Sequence, residues 1–153
     1  MSTDERRTAT TRRCRVGCSS HAPARARAFV ADAGLAWGLP ALLIESAQLA
    51  TSELVSNSVE HALSGVEITL GLDGDRLRIA VRDNSRVPPT HRRLRAADAR
   101  GRGMALVDAL ADEWGVTPHD DGKTVWLWLT VPADDGSVFE GSHVAEVSER
   151  VTE

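Results

Sequence analysis

Glu53, Asn57 and His61 recur at one-turn spacing in the stretch Glu53-Leu54-Val55-Ser56-Asn57-Ser58-Val59-Glu60-His61-Ala62. On a helix, positions i, i+4 and i+8 share a face. The three side chains therefore form a polar column at the margin of an apolar arc. A carboxylate in such a place can take a proton from water or a hydroxyl. An amide oxygen one turn further on can ligate Mg²⁺, a hard cation that fills the rest of its shell with waters and phosphate oxygens. On spacing alone, a solvated helix face is the commoner fate of Glu and Asn.

Three further groups have chemistry of their own. Asp83 closes an apolar run in Val81-Arg82-Asp83-Asn84-Ser85, where an ionised side chain is costly unless paired. It can accept a hydrogen bond from an exocyclic amine such as that of adenine, or simply cap a turn. Gly101-Arg102-Gly103-Met104 ends an irregular stretch and opens a helix. Glycines let the backbone approach a phosphate, and a helix start offers free N–H groups; an ordinary glycine turn is the alternative. Gly122-Lys123-Thr124 enters the last strand. Thr124 can hydrogen-bond a base or a bridging water, or belong only to a hairpin.

The elements that position these groups follow from periodicity. Cys14–Cys18 reads as a short extended piece. Pro23 opens a helix over 24–36 that Gly38 and Pro40 stop, and a longer helix covers 40–63 with Gly65 beyond its end. Val66, Ile68, Leu70 and Leu72 alternate, as do Leu77, Ile79 and Val81, on either side of Asp73-Gly74-Asp75, which makes a hairpin. Residues 84–100 carry five arginines and two prolines without a period and form a loop. A helix over 103–114 and a second hairpin, 114–118 with 123–131, complete the domain. Apolar residues on both faces of 125–129 predict a covered central strand. Helices and strands are segregated, which implies an α+β fold with the helices on one sheet face.

The chain has 153 residues with a formal charge of −4. That suits one domain and gives no overall pull toward nucleic acid. The N-terminal arginines lack a recognition motif and aromatic partners, so direct nucleic-acid binding is not expected. No apolar run reaches the length of a membrane helix and no secretory signal is visible, so a cytoplasmic protein is expected. Cys14, Cys18 and His21 are too few for a structural zinc site, and the thiols are expected to be reduced and buried. Lys123 is the only lysine. Residues 1–12 and the acidic stretch 133–153 read as disordered tails around a domain over 13–132.

Taken in order, E-x-x-x-N on a helix, D-x-S after a hairpin, an arginine-rich loop, G-x-G opening a helix and G-x-T in a closing hairpin resemble the GHKL ATPases. These include the ATPase domains of gyrase, heat-shock chaperones, histidine kinases and mismatch-repair proteins. Within that superfamily the chain is most similar to the anti-sigma-factor serine/threonine kinase branch, in its short actinobacterial form. The resemblance spans about residues 20–132. It implies a two-layer sandwich of the Bergerat ATP-binding type, with a mixed, mostly antiparallel sheet.

The resemblance also implies ATP and Mg²⁺ as cofactors, with roles for individual residues. Asn57 would hold the magnesium, Glu53 would be the general base and Asp83 would receive the adenine amine. Gly101, Arg102, Gly103 and Met104 would lie at the lid hinge beside the phosphates, and Thr124 near the base. Arg93, Arg95 or Arg100 would reach the terminal phosphate, and His61 would line the cleft. Ser85 stands where the superfamily usually has a glycine, although D-x-S is common in the branch. The implied function is a regulatory kinase that phosphorylates a serine of a small antagonist protein and holds a sigma factor; homodimers are compatible with it. The competing reading is a non-catalytic nucleotide-binding module that sequesters a protein partner.

Overall fold

The computed structural model describes residues 10–61, 65–85 and 103–133. Their elements are β1 (Thr10–Val16), α1 (Ala22–Ala36), α2 (Ala41–His61), β2 (Val66–Asp73), β3 (Arg76–Asp83), α3 (Gly103–Leu110), β4 (Glu113–His119) and β5 (Gly122–Thr130). The strands form one sheet in the order β1-β2-β3-β5-β4. Every pairing is antiparallel, so the mixed component expected from the resemblance is absent among the described residues.

Alternation along the strands sorts side chains between two faces. Val16, Val66, Ile68, Leu70, Leu77, Ile79, Val81, Val125, Leu127 and Leu129 are buried and share the face covered by the helices. Val30 and Ala33 of α1, Leu54 and Val55 of α2, and Met104 and Val107 of α3 complete that core. Pro23 falls in the first turn of α1, where a missing N–H costs nothing. Gly38, at φ 65°, ends that helix: Leu39 N–H reaches the Gly34 carbonyl at 2.9 Å and Gly38 N–H the Leu35 carbonyl at 3.1 Å. These are the paired bonds of a Schellman stop, which needs a left-handed residue.

Four expectations change. The first strand runs from Thr10 to Val16, earlier than Cys14–Cys18, because its register is set by pairing with β2. The third helix ends at Leu110; Asp112 N–H already bonds the Trp128 carbonyl at 2.9 Å, and Trp114 belongs to β4. The strand β5 is interior to the sheet but is not covered on both faces. Trp126 and Trp128 lie on the outer face and are only half-buried. The guanidinium of Arg76 stands 4.3 Å over the Trp128 ring, and the Trp126 indole donates to Thr117 Oγ1 at 3.2 Å. Amphipathic tips and arginine stems shield those rings in place of a second helical layer. The thiols form no disulfide, and Cys18 is exposed rather than buried.

Candidate functional site

The helix α2 presents three flanks. One is buried in the core through Leu43, Ala47, Ala50 and Leu54, where α2 meets β2 and β3. A second grips α1: Arg27 donates to Ser52 Oγ at 3.0 Å, Gln48 donates to the Arg27 carbonyl at 3.1 Å, and Ile44 packs on Gly34. At about 100° per residue, Glu53 and Asn57 point away from that α1 flank. The helix also packs against β3 and α3. The Glu53–Asn57 column therefore occupies the flank of α2 opposite α1. His61 is the last residue of the same helix.

Both side chains carry marks of an incomplete environment. Burial alone raises the Glu53 carboxyl above its ordinary value of 4.5, because removal from water disfavours the charged form. The Asn57 side-chain nitrogen is buried with no hydrogen-bond partner. An orphaned buried amide costs roughly 1–3 kcal/mol, and such groups are rare enough to need a reason. The amide's oxygen and nitrogen exchange places by a half-turn, so this position can offer either a donor or an oxygen ligand.

Asp83 ends β3 on the helix-covered face, and its side chain has 0% exposure. Both carboxylate oxygens are taken: Lys123 Nζ lies 3.1 Å from Oδ1 and 3.0 Å from Oδ2, and Ser85 N–H donates to Oδ1 at 2.9 Å. Asp83 and Lys123 are cross-strand partners in the β3–β5 ladder. Gly122 lets this junction close, since a Cβ there would run into the Asp83 carbonyl oxygen and sit 2.8 Å from Asn84 Cα.

Strand parity thus puts Asp83 on the helix-covered face, the side on which α2 carries Glu53 and Asn57, and puts Thr124 on the other. Thr124 lies on the outer face, bonded to His119 Nε2 at 2.8 Å, in a cavity of about 270 Å³ lined with Arg13, Arg78 and Arg82. Strand alternation is the reason: the residue facing Asp83 is Lys123, its neighbour. Lys123 is the site residue that motif reading passes over; its inward parity with Val125 and Leu127 was the available signal. Met104 is 1% exposed and belongs to the core, so only its backbone is available to a phosphate at the start of α3. Gly103 opens that helix. Arg93, Arg95, Arg100, Gly101 and Arg102 lie outside the described residues.

Among the described residues no cluster of three or more His, Cys, Asp or Glu could hold a metal ion. Mg²⁺ does not require one, since one or two protein oxygens with nucleotide phosphates suffice, and the unpartnered Asn57 amide fits that part. No described helix is long and apolar enough to cross a membrane.

The described residues thus form a two-layer α+β sandwich with the helices on one face of an antiparallel sheet. The chain belongs to the histidine kinase-like ATPase domain family, which it matches over residues 19–129. Among solved structures it is similar to the RsbU and RsbW domains of Rv1364c from Mycobacterium tuberculosis, with a TM-score of 0.64 at 23% identity over 81% of this chain. The match covers 34% of that chain, so this protein spans about a third of its length. A comparison with curated protein sequences gives no match.

Proposed function

We propose that this domain binds Mg-ATP and acts as a regulatory protein kinase on a serine of a small antagonist protein, in the manner of anti-sigma factors. The observation that carries the reading is the pairing, one turn apart on α2, of a carboxylate whose protonation burial favours with a buried amide that lacks a partner. When bound, Mg-ATP supplies the electrophilic γ-phosphoryl group. Asn57 would hold the metal through its side-chain oxygen, and Asp83 would receive the amine of the base. Glu53 accepts the serine proton as the serine oxygen bonds to phosphorus and ADP leaves. A raised pKa suits that task, because a base works best when its pKa approaches the operating pH. Little covalent work falls to the protein in such transfers; positioning and charge neutralisation dominate. Arg93, Arg95 and Arg100 are the candidates for the latter.

A non-catalytic module that sequesters its partner is the second reading. The specific observation in its favour is the closure of Asp83 by Lys123. Incubation with γ-labelled ATP and candidate antagonist proteins separates the two. The kinase reading expects label on a serine of the antagonist, lost by about 10²–10⁴-fold in Glu53→Gln with nucleotide binding retained. Partner binding that is tight, unlabelled and indifferent to nucleotide contradicts it.

A further inference from the structure

The Lys123–Asp83 pair has a consequence for nucleotide binding that the fold family does not supply. A carboxylate that reads a base must present an oxygen to the exocyclic amine. Here the ammonium of Lys123 bridges both oxygens at 3.0 and 3.1 Å, the position an incoming amine would take. The Asp83 side chain has no exposed surface and that of Lys123 is 6% exposed. The two strands bring the pair together: Asp83 and Lys123 are register partners, and Gly122 brings the β5 backbone hard against the Asp83 carbonyl. A base amine reaches an oxygen only if the Lys123 side chain withdraws.

We propose that Lys123 is an internal competitor for the base site, an affinity-determining residue whose ammonium occupies Asp83 in the empty protein and is displaced when the adenine amine binds. The inference rests on the reading of Asp83 as the acceptor of the base. Its chemistry is an exchange of one charge-assisted donor for another. A lysine side chain has four rotatable carbons between backbone and ammonium, so the head can swing out without moving β5. Nucleotide affinity is then set by the difference between the two donors. A side chain that still donates to Asp83 but carries no charge competes less well.

Lys123 is the only lysine of the chain, which makes the wild-type protein its own reporter. Acylation with an amine-directed reagent, read peptide by peptide in a mass spectrometer, distinguishes Lys123 from the terminal amine. The expected result is slow acylation of Lys123 in the empty protein and several-fold faster acylation at saturating ATP, with calorimetry confirming occupancy. Lys123→Gln, melted in parallel to confirm folding, should bind ATP on the order of tenfold more tightly, the equivalent of one charge-assisted hydrogen bond. If calorimetry shows ATP bound but Lys123 acylates no faster, the displacement is refuted while the assignment of Asp83 stands. If no ATP binds to wild type or variant, the assignment and the inference fall together.

Discussion

Removing the Lys123 ammonium should be among the most damaging single changes in this domain. Lys123→Met keeps much of the stem's volume but leaves Asp83 with 0% side-chain exposure and only the Ser85 N–H to compensate it. Breaking one side of a buried pair costs about 3–5 kcal/mol, because the remaining charge is uncompensated. For a domain of this size each kcal/mol lowers the melting temperature by roughly 3 °C, so a fall of about 10–15 °C is expected. Taking away both charges should restore most of the loss. Asn at position 83 still accepts from Ser85, and a neutral pair carries no comparable desolvation penalty. The assay is a double-mutant cycle of urea unfolding with wild type, Lys123→Met, Asp83→Asn and the double variant. Coupling of at least about 2 kcal/mol, with the double variant within about 1–2 kcal/mol of wild type, is the predicted outcome. Additive losses, or a Lys123→Met cost below about 1 kcal/mol as for an exposed pair, would refute the picture of a dry, mutually dependent pair.

Other perturbations have equally definite signs. Because burial raises the Glu53 carboxyl above 4.5, the folded state binds that proton more tightly than the unfolded chain. The stability from this group is full below the unfolded value and is lost as pH rises through the folded one. Glu53→Gln should therefore melt above wild type near about pH 7.5 and converge with it by about pH 4; an equal gap at both would contradict the cause assigned. Gly122→Ala forces a Cβ into the Asp83 carbonyl and should cost about 2–3 kcal/mol in chemical denaturation; an unchanged midpoint would show that the junction is looser than described. Arg76→Ala removes a cation over Trp128 and a 3.5 Å pair with Glu113 whose partners are 44% and 59% exposed. Its cost should stay near 1 kcal/mol or below, and a loss of several would mean that the outer face is more tightly shielded than the structure shows.

Much of the fold was legible because its signals are local. Alternation at Val66–Leu72 and Leu77–Val81 announces a hairpin, and the apolar arc from Leu43 to Leu54 announces which flank of α2 goes down. The errors fall where a residue's fate depends on a distant partner. Trp126 and Trp128 look like core because they are apolar, yet arginines of the neighbouring strand stand over Trp128 and Thr117 accepts from the Trp126 indole. Trp114 continues the period of α3, yet β5 recruits it into a strand. Thr124 fits a motif by type, but one step of strand parity sends it to the other face and puts Lys123 opposite Asp83. The Glu53–Asn57 column was readable from helical spacing. The orphaned state of the Asn57 amide was not, since it depends on which groups fail to meet it.

The site proposed on α2 depends most on Asn57, whose buried side-chain nitrogen has no partner. Titrating ATP calorimetrically into wild type and Asn57→Ala, each with and without Mg²⁺, tests it directly. The prediction is magnesium-dependent binding to wild type and its loss in the variant, while the variant's own melting temperature holds or rises as an unsatisfied group is removed. Equal magnesium-dependent binding by both proteins would contradict the site proposed on α2.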